Sequence, residues 1–319
     1  MVIMSPQHIQ PISFELWSTD KPAFAKAFGE SFAETGFAVV SGHIIPAAII
    51  QDAAAQTKTF FALSEAQKRK YANPENGYQR GYSPVGTENA KGRAVSDFKE
   101  FWHTGRKLPK DSPYRAVMQD TPHVLELPDF NPSTRKLYEA LDSFGADLLR
   151  ALAIYLGLDA AYFDDKVNNG NSILRLLHYP PQETPPPEGS VRAAAHEDIN
   201  LITLLLGAEE AGLQARHRNG NWMDINAPEG AVVVNAGDML QRLTAWHIPS
   251  TSHRVLNPSA QRAKFPRYSV PFFLHPNQDF LIEPLPEFAA KTGIVEAPIT
   301  AGDYLTERLR EIGLLKEQD

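Results

Sequence analysis

The chain predicts a mostly β protein with α-helices, in which a helical N-terminal part packs on an antiparallel sandwich or barrel. Three observations predict it. Apolar residues recur at helical spacing over residues 21–35 and 132–156. Later in the chain they fall instead into short runs bounded by turn residues. Between these regimes lies 180–189, whose five prolines exclude regular structure and mark a connection.

Each element follows from its residues. Pro11-Ile12-Ser13-Phe14 reads as a short extended entry. Phe24, Ala27, Phe28 and Phe32 share one face of an amphipathic helix over 21–35. Gly36-Phe37-Ala38-Val39-Val40 then reads as a strand. A second helix begins at Pro46 and runs to Phe60-Phe61, and Ser64 with Gln67 forms a capping box for the next turn. Residues 76–92, rich in Gly, aromatic and polar residues, read as a long surface loop of a functional kind. Leu137, Leu141, Phe144, Leu148, Leu149 and Leu152 set the helix over 132–156, and 172–179 follows as a strand. The short runs 199–206, 212–216, 231–235 and 267–274, with turn signals at Asn219-Gly220 and Gly237-Asp238, suggest the sandwich or barrel. A helical pattern over 305–315 closes the chain.

Composition excludes several classes. The chain of 319 residues carries a net charge of -7, which argues against a nucleic-acid partner. It has no cysteine, so disulfides, thiolate-held clusters and cysteine nucleophiles are excluded. No secretory signal and no apolar run of bilayer length is present, and the expected address is cytoplasmic.

The chemistry concentrates in His196-Glu197-Asp198 and in His253, 55 positions after Asp198. On a strand, residues two apart point to one side, so His196 and Asp198 reach one ion while Glu197 turns away. Two imidazoles and a carboxylate occupy one face of a six-coordinate metal and leave three positions open, the ligand set of a non-haem Fe(II) oxygenase. Taken singly, each of these is an ordinary polar residue. His217 falls in a hairpin turn, His247 in a solvated loop, His178 points out of the barrel, and His275 ends a strand; all four are read as structural or surface residues. Arg267 and Ser269 share a strand face and can grip a carboxylate through a guanidinium pair and a hydroxyl. Arg175 shares a face with Tyr179, and a buried Arg needs a partner, either an anionic ligand or an internal salt bridge.

These segments resemble the isopenicillin N synthase-like branch of the 2-oxoglutarate/Fe(II)-dependent oxygenases, nearly end to end. The matching segments are Glu34-Thr35-Gly36-Phe37, Phe60-Phe61-Ala62-Leu63-Ser64, the ten residues from His196 to Leu205, Asn235-Ala236-Gly237-Asp238-Met239-Leu240, Ser252-His253-Arg254-Val255 and Arg267-Tyr268-Ser269-Val270-Pro271-Phe272-Phe273. The resemblance implies a double-stranded β-helix (jelly-roll) core over 166–319, with its C-terminal helix, under a helical cap over 1–165, all one compact unit. It further implies that His196, Asp198 and His253 bind Fe(II), and that Arg267 and Ser269, helped by Tyr179, hold the distal carboxylate of 2-oxoglutarate. O2 would then oxidise a C–H bond of a small molecule, releasing succinate and CO2. Arg175 and Phe273 are the candidate substrate contacts, and the substrate is expected to be small and anionic.

Two departures bear on this. Leu177 stands where plant members often carry an Asn, so that contact to the cosubstrate is missing. Isopenicillin N synthase keeps the Arg-x-Ser pair for its peptide substrate, consumes no 2-oxoglutarate, and has near its terminus a Gln that can bind iron; the segment Leu315-Lys316-Glu317-Gln318-Asp319 looks similar to that ending. An oxidase of that kind and a non-catalytic ligand-binding protein on the same fold are therefore the rival readings. The oligomeric state is not legible.

Overall fold

The computed structural model describes residues 9–87, 98–181, 192–206, 212–257, 259 and 261–311. Its helices are α1 (Glu15–Thr19), α2 (Lys21–Thr35), α3 (Ala47–Phe61), α4 (Glu65–Arg69), α5 (Phe130–Tyr155), α6 (Asp164–Val167), α7 (Asp238–Leu243), α8 (Pro286–Thr292) and α9 (Ala301–Glu311). The strands that build the core are β1 (Pro11–Ser13), β2 (Phe37–Ser41), β3 (Gly81–Ser83), β4 (Glu100–Gly105), β5 (Ile173–Tyr179), β6 (Ala193–His196), β7 (Ile202–Leu206), β8 (Leu213–Arg216), β9 (Trp222–Asp224), β10 (Val232–Ala236), β11 (His253–Val255), β12 (Arg267–Ser269) and β13 (Pro271–Leu274).

Nine strands form one sheet in the order β1-β2-β10-β7-β13-β5-β4-β3, with β12 also paired to β5; β6-β11-β8-β9 form a second. Side-chain alternation tells which face of the large sheet is which. Ala38, Val40, Leu204, Val232, Val234, Leu174 and Phe272 pack into the main core with the phenylalanines of α2 and the leucines of α5. Their neighbours Phe37, Val39, Leu205 and Val233 turn the other way, onto Ala215 and Leu213 of β8 in the small sheet. This is a jelly roll: two sheets enclose an interior, and helices cover the outer face of the larger one. The N-terminal region supplies β1 to β4, so the helical layer and the barrel share one sheet.

The helices at 21–35 and 47–61 and the capping box at Ser64 form as read, the latter with Ser64 accepting from the Gln67 N–H. The surface-loop reading of 76–92 is corrected. Gly81–Ser83 is a buried strand paired with β4, and 88–92 lie outside the described residues. Gly81 hid it: its φ of +80° is left-handed, and a Cβ would sit 2.3 Å from the Tyr71 carbonyl oxygen. No described helix is long and apolar enough to cross a membrane.

A buried polar knot fastens β4 to the helices. Glu100 accepts from Lys68 Nζ at 2.6 Å and from the Tyr82 hydroxyl, and its other oxygen lies 2.7 Å from His178 Nδ1. Burial pushes the Glu100 carboxyl up, but these three partners outweigh it and hold it below the usual range. Lys68→Met strips an ion partner from a buried carboxylate and is expected to cost about 3 kcal/mol in urea unfolding. Because the folded carboxyl is depressed, the knot's contribution is fully present above the usual glutamate range and is lost as pH falls below that range through the lowered folded value.

Candidate active site

The two sheets enclose a cavity of about 220 Å³, and His196, Asp198 and His253 line it. Register alone joins the imidazoles. β6 and β11 are antiparallel neighbours with His196 opposite His253, and the ring centroids are 4.4 Å apart. Asp198 arrives differently. β6 ends at His196, so strand alternation does not aim the carboxylate, and that expectation is corrected.

The loop carrying Asp198 is held from behind by the start of α7. The Asp238 N–H donates to the Asp198 carbonyl at 2.7 Å, the Gly237 N–H to Leu201 at 2.9 Å, and the Met239 N–H to Asn200 at 3.2 Å. Gly237 permits the approach, since a Cβ there would lie 2.2 Å from the Asn200 carbonyl oxygen. The turn read at Gly237-Asp238 is therefore a helix start.

The side chains are oriented for one ion. Asp198 Oδ1 lies 3.9 Å from Nε2 of both histidines, and the three ligating atoms all fall within 4.8 Å of one another. They are the one such cluster among the described residues. Nδ1 of His196 lies 2.7 Å from the Ala194 carbonyl, and Nδ1 of His253 lies 3.1 Å from that of Thr251. A carbonyl only accepts, so both protons sit on Nδ1 and both Nε2 lone pairs face Asp198. Asp198 Oδ2 accepts from Thr203 Oγ1 at 2.6 Å and Asn235 Nδ2 at 2.8 Å, which leaves Oδ1 for a cation. Burial raises the Asp198 carboxyl, but the two imidazoles and these hydrogen bonds bring it below its ordinary range. Desolvation, then the His253 ring, holds His196 below its own. Two neutral nitrogens and one ionised oxygen fit a first-row divalent metal such as Fe(II).

Arg267, Ser269 and Tyr179 line the same cavity. Arg267 is opposite Tyr179 in the β12–β5 register, with its guanidinium 5.4 Å above the phenol ring. Arg175 and Phe273 also line it. The Arg175 guanidinium lies 4.3 Å from the Phe101 ring and 5.3 Å from that of Phe273. Its Nε donates to His103 Nε2 at 2.7 Å, and His103 Nδ1 meets the Tyr78 carbonyl at 3.0 Å. All eight predicted site residues thus come together.

Of the remaining histidines, His178 points away from the cavity into the Glu100 knot, as read. His217 closes the β8–β9 turn, its carbonyl accepting from the Gly220 N–H. His247 is half-buried and packs between the Tyr155 and Phe288 rings. His275 is buried, and desolvation takes it down to about 4. Sequence reading missed Thr203 and His103 and left Asn235 without a role. The available signal was a polar residue on the inward face of an otherwise apolar strand. Of the aromatics at 98–102, Phe101 reaches the Arg175 side, Trp102 packs under the helices and Phe98 is exposed. Gln318 lies outside the described residues.

Residues 9–126 match the model of the N-terminal region of non-haem dioxygenases, described from morphine synthesis, and residues 170–276 match that of the 2OG-Fe(II) oxygenase superfamily. The chain belongs to the 2OG-Fe(II) oxygenase superfamily. A 2-oxoglutarate-Fe(II) type oxidoreductase of Emericella nidulans is 32% identical over 285 residues, covering 85% of this chain and 80% of that one. A 2OG-Fe(II) oxygenase family protein from Caulobacter crescentus superposes with a TM-score of 0.89 at 46% identity, covering 97% of this chain and 100% of that one. A Neurospora crassa protein, solved in complex with alpha-KG and also with alpha-KG and thymine together, is 32% identical with a TM-score of 0.85 and covers 97% and 98% of the two chains. This oxygenase is accordingly an enzyme, a 2-oxoglutarate-dependent dioxygenase whose cofactors are Fe(II), 2-oxoglutarate and O2.

Proposed function

We propose that His196, Asp198 and His253 hold Fe(II), that Arg267 and Ser269, with Tyr179 beside them, hold the distal carboxylate of 2-oxoglutarate, and that Arg175 and Phe273 position a small organic substrate. The single observation that carries this reading is that a metal-ready donor set and a guanidinium–hydroxyl pair line one cavity between the two sheets. Fe(II) bound there supplies the activation of O2 that couples decarboxylation of 2-oxoglutarate to oxidation of a C–H bond.

The chain's own residues do the rest. Thr203 and Asn235 fix which Asp198 oxygen faces the ion, and Ala194 and Thr251 fix both histidine tautomers. Arg267 can meet a carboxylate through two parallel N–H groups, and the Ser269 hydroxyl adds a third donor. Leu205, Val233 and Ile225 line the cavity with apolar surface that excludes water and strengthens those charge pairs. Arg175, beside the Phe101 and Phe273 rings, offers donors to carbonyl or carboxylate oxygens of the substrate. The absence of cysteine suits a reducing compartment, and we assign the enzyme to the cytoplasm.

The solved relative that carries alpha-KG favours a 2-oxoglutarate consumer over an oxidase of the isopenicillin N synthase kind. Anaerobic Fe(II) titration with 2-oxoglutarate should develop the visible charge-transfer band of a chelated keto acid; no band would refute the reading. A panel of small carboxylates and cyclic carbonyl compounds, thymine included, should contain members that stimulate succinate release. Arg175→Leu should abolish that stimulation and keep the band.

A further inference from the structure

We infer that Arg308, on the last helix, is a positioning residue for Asp198, so that α9 sets the affinity of the metal centre from outside the cavity. The inference rests on the assignment of Asp198 to iron proposed above. Arg308 lines no part of the cavity. Its Nη2 lies 3.3 Å from Asp238 Oδ2, and its Nη1 lies 2.8 Å from Glu311. Asp238 is the residue whose N–H donates to the Asp198 carbonyl at 2.7 Å. One residue therefore faces the last helix with its side chain and the metal-ligand loop with its backbone.

Three features make this more than a surface ion pair. The Asp238 side chain is only 8% exposed, so its charge needs a partner. Burial pushes the Asp238 carboxyl up, as do Glu197 and Asp198 at smaller size, and the Ser250 side chain and then Arg308 oppose that rise. A second tie runs parallel: Arg242 of α7 pairs with Glu296 at 3.2 Å and lies 5.6 Å from the Tyr304 ring of α9. The segment ending in α9 thus grips α7 at both ends, and α7 presents Gly237, Asp238 and Met239 to the carbonyls of Leu201, Asp198 and Asn200. Loosening Arg308 frees the first turn of α7 and, through it, the backbone that aims the Asp198 carboxylate.

Charge and position predict opposite signs, which makes the test sharp. Removing a cation near a metal site should by electrostatics alone tighten binding of a divalent ion. Removing a positioning contact should weaken it, with about tenfold expected, the lower end of what outer contacts to metal ligands are worth. The experiment is anaerobic Fe(II) titration of the full chain with saturating 2-oxoglutarate, 2-oxoglutarate titration at saturating Fe(II), and thermal melting, for wild type, Arg308→Ala, Arg308→Lys and His253→Ala. Support is an Fe(II) dissociation constant about tenfold higher in Arg308→Ala and recovered in Arg308→Lys, with the apparent 2-oxoglutarate requirement unchanged. Unchanged or tighter Fe(II) binding in Arg308→Ala overturns the inference. So does weakening of Fe(II) and 2-oxoglutarate together with a lower melting temperature, since that is general loosening of the fold. If His253→Ala binds Fe(II) like wild type, the metal assignment itself has failed, and the two failures are told apart.

Discussion

Asp198→Asn is expected to abolish Fe(II) binding and succinate release while leaving the protein folded. Asp198 is the only anionic donor of the three, and its Oδ2 accepts from Thr203 and Asn235 inside the protein. An amide oxygen can still accept those two hydrogen bonds, so the interior stays satisfied and only the charge disappears. Asp198→Ala removes the acceptor as well; the stranded Thr203 and Asn235 donors should then cost about 1–3 kcal/mol of stability. Comparing the two variants separates loss of metal from loss of fold. Outer contacts to metal ligands are worth about 10–100-fold in affinity, so Asn235→Ala and Thr203→Val belong in that range. Loss of the ligand itself should exceed about 100-fold. Anaerobic titration and urea unfolding on the same preparations give both numbers. An Asp198→Asn protein that bound Fe(II) within a few-fold of wild type would remove the metal assignment.

The long regular elements were legible because their signals are local. The helix at 21–35 repeats its phenylalanines every three or four residues, and α2 has those bounds. The helix at 132–156 is observed as Phe130–Tyr155, shifted by two residues at its start and one at its end. The 267–274 run divides into two strands around Val270, which nothing in its apolar content announces. The strand at Gly81–Ser83 was illegible because long-range pairing with β4 overrides its loop-like composition.

The site was legible for a different reason. Its ligand types are few, and their chemistry restricts the roles they can take. What sequence could not supply is the means of convergence. His196 and His253 meet through strand register, whereas Asp198 meets them through a loop pinned by α7. The pinning uses backbone N–H groups, which every residue but proline carries, so no side-chain pattern betrays it. Thr203 and Asn235 lie in mutual register on β7 and β10, a pairing visible only once the strand order is known. The same holds for His103, which reaches Arg175 across the β4–β5 ladder.

Arg267→Ala is expected to raise the 2-oxoglutarate requirement about 30-fold or more. Arg267 is 5% exposed and faces the interior of the barrel. Removing one partner of a buried, hydrogen-bonded charge pair costs about 2–5 kcal/mol, and 2 kcal/mol alone corresponds to about 30-fold. The effect should fall on the cosubstrate: Fe(II) binding in the absence of 2-oxoglutarate should be unchanged, because the donor set lies on other strands. Arg267→Lys should recover only part of the loss, since an ammonium supplies a point charge where a carboxylate wants two parallel N–H groups. Ser269→Ala, which removes one neutral donor to a charged group, should cost about 1.5–3 kcal/mol, at or below the Arg267 effect. Double-variant measurement then asks whether the two side chains share one ligand. Contacts to the same carboxylate should couple, so the combined loss should fall short of the product of the single losses. Independent losses would place the guanidinium and the hydroxyl on different groups, and 2-oxoglutarate would have to be anchored elsewhere in the cavity.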